Sequence, residues 1–184
     1  MQKFLDFCTE QHDVVCNQKY NKTLPYSFHL DMVVKQAEKF KYLLTEEDFL
    51  KAKCGAKGHD LLEDANITYN DIANMYISDD SFYRSINYSL EIAEIIFACT
   101  ELRGKNRAER HGPEYINGLR ESRLGLFVKL CDLIANVLFG LLSNSSMYGK
   151  YQKEFPHFKE QLYLAEFKGM FDYLEELLTI GNKQ

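Results

Sequence analysis

One stretch of the sequence decides the fold: RLGLFVKLCDLIANVLFGLL, residues 123–142. Drawn as an α-helix, it presents large apolar side chains around nearly its whole circumference, which predicts a helix covered by neighbours on most sides. Lys129, Asp132 and Asn136 interrupt that surface and fall on one narrow polar stripe. A buried carboxylate is costly unless it is paired or binds a cation. We therefore expect Asp132 to have a partner, either Lys129 or Asn136 as a structural pair or a metal ion.

The rest of the chain repeats the helical pattern. Apolar residues recur at spacings of three and four, and 3 prolines and 10 glycines interrupt the 184 residues. The pattern predicts an all-α fold with no strands, and the length suits one compact helical bundle, a single domain over residues 1–184. The predicted helices are 2–20, 28–43, 46–64, 69–77, 80–100, 108–119, 122–143 and 157–180.

Polar residues mark several predicted helix boundaries. Thr45 with Asp48 resembles a weak capping box, and Thr68 with Asp71 would cap the following helix. Residues 143–156, SNSSMYGKYQKEFP, form the most turn-like stretch. We expect this stretch to connect the bundle to a last amphipathic helix.

Composition excludes some classes of protein. A formal net charge of −5 and a pI near 5.6 argue against a general nucleic-acid or anionic-membrane surface, which requires a basic footprint. The amino terminus, MQKFLDFCTE, lacks the charged region followed by an apolar region that is typical of a signal peptide. We expect no stretch of the chain to approach the ~20 apolar residues of a membrane span. The 5 cysteines form no CxxC pair and are expected to be reduced core thiols. These features predict a soluble, cytoplasmic protein. They do not indicate an oligomeric state.

A second stretch, GHDLLEDANITYNDI (residues 58–72), gathers charge. On a continuous helix, His59, Asp60, Glu63 and Asp64 would share one face while the two leucines pack on the other. A solvated acidic face is one explanation. The adjacent His-Asp pair favours a metal site, because imidazole and carboxylate are both ligands of first-row metals and the two acids one turn on could handle protons.

His29 supplies a further candidate ligand at the start of an apolar helix. A lone histidine there is more often a satisfied core group than a ligand. With His59, Asp60 and Asp132 it completes a set of two nitrogen and two oxygen ligands, which suits Mn²⁺, Mg²⁺ or Fe²⁺ better than a closed structural zinc site. The remaining histidines, predicted to be surface or structural residues, are His12, His111 and His157.

Positive charge is concentrated in RGKNRAERHGPEYINGLRESR, residues 103–123. The arginine fork matches phosphate oxygens, so the segment could form a mobile lid at the rim of a phosphate pocket. A solvated linker with scattered ion pairs is the alternative. The candidate phosphate ligands in this segment are Arg103, Lys105 and Arg107.

A histidine, a His-Asp pair and an aspartate, in this order on helices, resemble the signature of the HD superfamily of metal-dependent phosphohydrolases. The similarity is to one branch, the hydrolase domain of the RelA/SpoT family and the small alarmone hydrolases. LPYSFHLDMV resembles its PYI-x-HP-x-x-V segment, HDLLEDANITYNDI its HD-x-x-ED-T-x-x-T stretch, and FVKLCDLIANV its VKLAD-x-x-x-N helix. The motif-bearing core covers about residues 10–142, followed by the predicted helix at 157–180.

The resemblance implies an HD-type bundle that uses Mn²⁺ to remove the 3′-pyrophosphate from guanosine tetra- and pentaphosphate. The residues that it implies are His29, His59, Asp60 and Asp132 as metal ligands, Glu63 and Asp64 as catalytic acids, and Asn136 as a nucleotide contact.

The sequence departs from this branch before His29. The family usually has an Arg-Lys pair there that positions guanine, whereas this chain has Tyr20-Asn21. Tyr20 could stack on a base, and Lys19 or Lys22 could supply positive charge.

The expected chemistry combines a cation with nearby proton carriers. The cation would neutralise phosphate oxygens and lower the pKa of water, Glu63 and Asp64 would orient that water, and Lys129 would stabilise Asp132 or a phosphate. Three functions stay open: an alarmone hydrolase, another HD nucleotide phosphohydrolase or phosphodiesterase, and a non-catalytic binding module of the same fold. The expected ligand is a small nucleotide, with neither nucleic acid nor membrane as a partner.

Overall fold

The computed structural model describes residues 1–75, 86–101 and 104–180 of the chain. Over these residues the protein is an all-α bundle, as the spacing of apolar residues predicted. The helices are α1 (Gln2–Glu10), α2 (Ser27–Lys39), α3 (Glu46–Gly58), α4 (Leu61–Asp64), α5 (Tyr69–Ala73), α6 (Ile86–Cys99), α7 (Arg107–Arg110), α8 (Pro113–Glu121), α9 (Arg123–Leu142), α10 (Ser146–Leu162) and α11 (Lys168–Ile180). A π-helical turn at Gln11–Val15 continues α1, and short 3-10 turns occupy Lys41–Leu43 and Ala165–Phe167.

A small hairpin follows the first helix. Its strands, β1 (Lys19–Tyr20) and β2 (Leu24–Pro25), pair antiparallel. The expectations of no strand and of a helix through residue 20 were therefore wrong. Asn17, Asn21 and Lys22 adopt positive φ angles of 45°, 47° and 71°, and asparagine is one of the residues that enters this region most easily.

Two predicted helices are broken inside their predicted bounds. The predicted helix 46–64 is interrupted at His59 and Asp60, where the Asp60 backbone has φ −100° and ψ 3°. The predicted helix 108–119 is interrupted before Gly112, whose extended backbone precedes the first residue of α8. Both breaks separate polar side chains that would lie on one face of a continuous helix.

The carboxyl-terminal part differs most from expectation. Most of the predicted turn at 143–156 is helical, because Ser145 caps the first residues of α10 and the helix continues through Tyr151 and Phe155, which are buried in the core. The predicted helix 157–180 is instead divided between α10 and α11. Serine, asparagine and glycine made the segment turn-like in sequence, but the burial of two aromatic rings four residues apart favours the helix.

The predicted caps at Thr45 and Thr68 are confirmed, and the latter forms a complete capping box with Asp71. Helices α5 and α6 lie inside the predicted helices 69–77 and 80–100. The rest of those two predictions falls mainly outside the described residues.

Helix α9 lies at the centre of the bundle, in contact with α2, α3, α6, α10 and α11. Its residues Leu130 and Ile134 are fully buried, and each such side chain contributes about 1.5–3 kcal/mol of hydrophobic stabilisation. Helices α3 and α6 approach closely at Gly55, where an added Cβ atom would lie 2.5 Å from the Ile95 side chain. All 5 cysteines are free, and 4 of them are buried, as expected for core thiols.

Among the described helices, α9 is long and apolar enough to cross a membrane by length and composition alone. The expectation that no stretch reaches this limit was too strict. Other helices bury 61% of its most apolar window, and this central position in the core accounts for its hydropathy.

Candidate metal centre

Four side chains from separate parts of the chain converge beside α9. His29 comes from the first turn of α2, His59 and Asp60 from the break between α3 and α4, and Asp132 from the middle of α9. His29, His59 and Asp132 are buried and offer ligand atoms that all lie within 4.8 Å of one another. The polar stripe on α9 and the His-Asp pair thus meet at one place.

The separations within this four-residue cluster match those of a coordination shell. His29 Nε2 lies 3.3 Å from His59 Nε2 and 3.3 Å from Asp132 Oδ1. Asp60 Oδ2 lies 3.0 Å from His59 Nε2 and 3.8 Å from His29 Nε2. Bonds of about 2.1 Å to one cation place neighbouring ligands roughly 3.0 Å apart in an octahedral shell and roughly 3.4 Å apart in a tetrahedral one. The donor set therefore fits a divalent ion.

The backbone orients one of these imidazoles. His59 Nδ1 lies 3.0 Å from the carbonyl oxygen of Ala56 and can donate to it, so that Nε2, directed into the cluster, is the ring nitrogen left to bind a metal ion. Metal-ligating histidines commonly donate their second ring nitrogen in this way. The interruption after α3 makes this geometry available, because Asp60 then departs from the helical path.

Asp132 has the partners that its burial requires. Lys129 Nζ lies 3.0 Å from Oδ2, and the Asn136 amide donates to Oδ1. Both structural partners considered from the sequence are thus present, together with the two histidines. A pair of charges alone would account for Lys129 but not for the convergence of His29 and His59 on the other carboxylate oxygen.

Charge compensation links the members of the cluster. Burial alone would lower the pKa of His59, but the facing carboxylates of Asp60 and Asp132 raise it to about 9. Burial would raise the pKa of Asp132, but Lys129 and the two histidines hold it well below its usual range. The carboxylates therefore require a positive charge between them, which an imidazolium or a divalent cation can supply.

Tyr26 belongs to the quoted segment LPYSFHLDMV, but the sequence analysis assigned it no role in the site. Its hydroxyl donates to Asp60 Oδ2 at 2.6 Å, and its ring stacks on His12 with centroids 4.9 Å apart. His12, expected to be a surface or structural residue, is fully buried and bonded through Nδ1 to Gln18. Its role is structural, because its ring packs against the tyrosine that orients a candidate ligand.

The two candidate catalytic acids are placed differently. Glu63 lines the pocket above the cluster, and partial desolvation there raises its pKa to about 7 although the side chain keeps contact with water. Asp64 is exposed and accepts a hydrogen bond from Gln18, 2.7 Å away, outside the lining of that pocket. The prediction that the four polar residues share one helical face was wrong, because the break at Asp60 turns them apart.

We call the cavity above the cluster the metal pocket. It has a volume of about 150 Å³, and its walls include Tyr26, Glu63, Glu101, Arg107 and Lys129. Burial alone would raise the pKa of Glu101, but hydrogen bonds from His111 and Arg110 lower it to about 2. No sequence pattern indicated Glu101, because this residue follows an apolar helix and its partners come from the basic segment 103–123. His111, expected to be a surface or structural residue, is half-buried here.

The candidate substrate-binding residues fall into two groups. Tyr20, Asn136, Lys129 and Arg107 line the metal pocket. Of the others, Lys19, Lys22 and Lys105 are exposed and do not line it, and Arg103 lies outside the described residues.

Tyr20 is engaged by protein groups rather than open to a base. Its ring stacks on His29, with centroids 4.9 Å apart and planes 12° apart, and meets Phe139 edge-on. Its hydroxyl donates to Asn136 Oδ1 at 3.0 Å. Both side chains predicted to contact the nucleotide therefore brace the metal cluster.

No protein-family model, curated protein or solved structure matches this chain.

Proposed function

We propose that the protein is a divalent-metal-dependent phosphohydrolase of the HD superfamily that acts on a small nucleotide, with removal of the 3′-pyrophosphate from guanosine tetraphosphate as the leading reaction. One observation carries the proposal: His29, His59, Asp60 and Asp132 bring four donor atoms together beneath a pocket that also contains a lysine and an arginine. Carboxylates beneath cationic side chains form a site in which an ion and a phosphate can be held together.

The ion would be Mn²⁺, with Mg²⁺ or Fe²⁺ as the alternatives. Two imidazole nitrogens and two carboxylate oxygens form a donor set of intermediate hardness. When bound, such an ion supplies Lewis-acid polarisation of a phosphoryl oxygen and lowers the pKa of water.

Lys129 and Arg107 are the residues that would hold the phosphate. Arg107 lies at the pocket wall, where Nε is 3.0 Å from Glu154 and Nη1 is 4.0 Å from Glu101. Its fork can exchange a carboxylate for phosphate oxygens at similar geometry. Lys129, held by Asp132, is a fixed positive charge on the same wall.

Glu63 would carry the proton. A carboxyl group with a pKa of about 7 is suited to both accepting and returning a proton near neutral pH. Its Oε1 atom accepts a hydrogen bond from the backbone N–H of Glu101, which fixes the carboxyl group at the pocket wall. Asp64 is a weaker candidate for this role, because it lies outside the pocket lining.

One specific observation favours a different nucleotide as the substrate. Tyr20, which occupies the place of the guanine-positioning pair in the alarmone hydrolases, stacks on His29 and donates its hydroxyl to Asn136, so that this face of its ring is covered by protein. The alternative function is therefore HD-type hydrolysis of another nucleotide phosphoester. A non-catalytic binding module would have no use for Glu63 at the pocket wall. A cytoplasmic location, where such nucleotides occur, stays a prediction.

The test is hydrolysis of a nucleotide panel by the purified protein with Mn²⁺. The panel contains guanosine tetraphosphate, nucleoside mono-, di- and triphosphates and cyclic dinucleotides, with phosphate and pyrophosphate measured separately. Pyrophosphate release from guanosine tetraphosphate is the expected result, and phosphate release from other nucleotides would favour the alternative. Asp60→Ala should abolish turnover and weaken Mn²⁺ binding, whereas the surface variant Asp172→Ala should not. Turnover that survives Asp60→Ala would eliminate the metal mechanism.

A further inference from the structure

A second cleft opens beside the metal pocket, between α8, α9 and α10. We call it the lateral cleft; its volume is about 400 Å³. The residues that line it away from the metal pocket include Ile116, Lys153, Phe155, His157 and Phe158. The exposed surface of the cleft is mostly apolar, although half of the 12 lining residues carry charged or imidazole side chains.

The lateral cleft and the metal pocket adjoin each other and share part of their walls. Arg107, Lys129, Leu133 and Tyr151 line both. Tyr151 is buried, and the Arg107 guanidinium carbon lies 5.8 Å from the centre of its ring. A molecule that extends past these residues would reach from the candidate metal ligands into the aromatic cleft.

Size separates the two spaces. Ligand pockets for small molecules occupy roughly 300–1,000 Å³, and the metal pocket, at about 150 Å³, falls below that range. It has room for a phosphate group but not for a nucleoside as well. The lateral cleft, at about 400 Å³, lies within the range.

The chemistry of the walls follows the same division. The metal pocket combines carboxylates, histidines and two cations, which suit a phosphate and its ion. The lateral cleft offers the partly exposed ring of Phe158 and the side chain of Ile116, with the buried ring of Phe155 beneath them, and this surface suits a flat aromatic group. Arg107 stands at the junction, where a cation can contact the phosphate and the edge of the ring system.

We propose that the lateral cleft holds the base of the nucleotide whose phosphate lies in the metal pocket, an inference that rests on the proposed function. The base is then recognised on the α8–α10 side of the metal centre, and not beside Tyr20 as the sequence suggested. Tyr20 and Asn136 are left to position His29 and Asp132.

The experiment measures binding of two probes to the Mn²⁺-loaded protein by calorimetry at fixed free Mn²⁺. One probe is a nucleoside diphosphate, chosen as the tightest of GDP, ADP, CDP and UDP, and the other is inorganic pyrophosphate, which has no base. Ile116→Trp fills the cleft without touching the metal pocket, and Phe158→Ala removes a stacking surface. Ile180→Trp, at an exposed position on α11 outside both spaces, is the matched control for added bulk.

We expect Ile116→Trp and Phe158→Ala each to weaken nucleotide binding about 10-fold or more, because a base loses room or a stacking partner. Pyrophosphate binding should stay within about 2-fold of the unaltered protein. Melting temperatures and far-ultraviolet circular dichroism verify folding, and Phe158→Ala keeps the test decisive if Ile116→Trp does not fold.

Three outcomes would overturn the inference. Nucleotide binding that is unchanged in both folded variants would show that the base lies elsewhere, while hydrolysis by the unaltered protein would leave the proposed function standing. Equal weakening of nucleotide and pyrophosphate would place the effect in the metal pocket. Binding of none of the four diphosphates would also exclude a base site. Nucleotide binding lost only in the cleft variants, with no hydrolysis of any nucleotide, would instead reject catalysis while retaining the cleft as a base site.

Discussion

The metal pocket and the lateral cleft are neighbours that share a wall, yet different interactions hold them together. In the metal pocket, buried charged side chains depend on one another: Asp132 is held by Lys129 and Asn136, and Asp60 by Tyr26 and His59. In the lateral cleft, 6 of the 12 lining residues are aromatic or aliphatic side chains that also pack in or against the core.

This contrast bears on function. Buried ion clusters are seldom more stable than apolar packing of the same volume, since desolvation offsets much of the attraction between the charges. Stability alone therefore gives little reason for the metal pocket. The aromatic and aliphatic walls of the lateral cleft carry no such desolvation cost, so the feature that marks the cleft as a site is its position beside the metal pocket. A mutation should consequently change Mn²⁺ affinity and stability more in the metal pocket than in the lateral cleft.

The largest effect is expected for Asp132→Ala. Loss of this ligand should weaken Mn²⁺ binding more than about 100-fold, beyond the roughly 10- to 100-fold typical of groups that only support a ligand. Without metal, the variant should also lose about 3 kcal/mol of unfolding free energy, because Lys129 is left without its closest carboxylate. Calorimetric Mn²⁺ titration and urea unfolding measure the two effects. Asp172→Ala, which removes an exposed acid, should change stability by less than about 1 kcal/mol.

The wall of the metal pocket should also show a pH dependence. The pKa of Glu101 is lowered from an ordinary 4.5 to about 2, so its ion pairs contribute stability above about pH 4.5 that is lost as the pH falls through about 2. The charged groups that face Glu101 are His111, Arg110, Arg107 and Lys129, and its backbone N–H donates to the Glu63 carboxylate. The unfolding free energies of the native protein and of Glu101→Gln, measured in urea, should differ by about 2–3 kcal/mol at pH 5. This difference should shrink toward pH 2. A difference that does not vary over this range would contradict the assignment.

A smaller effect is expected for Tyr26→Phe. The substitution removes the hydroxyl that donates to Asp60 but keeps the ring stacked on His12, so Mn²⁺ affinity should fall about 10- to 100-fold with little loss of stability. Tyr42→Phe, at a tyrosine that is 70% exposed, is the matched control and should bind Mn²⁺ normally. Equal Mn²⁺ affinities for the two variants would mean that the Tyr26 hydroxyl does not support the ligand.

The smallest effect is expected in the lateral cleft. Ile116→Val removes one methyl group from a partly buried side chain, so the unfolding free energy should fall by no more than about 1 kcal/mol. Mn²⁺ affinity should be unchanged, because Ile116 does not line the metal pocket. A change in Mn²⁺ affinity comparable to that of Tyr26→Phe would erase the distinction between the two regions.

Local sequence was a good guide to some positions and a poor one to others. It identified His29, His59, Asp60 and Asp132 as a set, because a polar residue on an otherwise apolar helix needs a partner that the rest of the chain must supply. It did not identify Tyr26 or Glu101, because no local pattern shows that Tyr26 reaches Asp60, 34 positions away, or that Glu101 meets Glu63, 38 positions away. It assigned Asp64 to the same site as Glu63, because the prediction assumed a continuous helix where the backbone breaks.

Sequence alone determined that this chain forms helices, that α9 lies in the core, and that its buried aspartate requires compensation, since all three follow from the spacing of apolar and polar residues along one helix. Only the tertiary structure decided how the segments meet: that the break after α3 turns His59 and Asp60 toward His29, that Tyr20 packs on a candidate ligand, and that a cleft adjoins the metal pocket between α8 and α10. These are relations between residues up to about a hundred positions apart, and they depend on packing of the whole bundle that no local periodicity encodes.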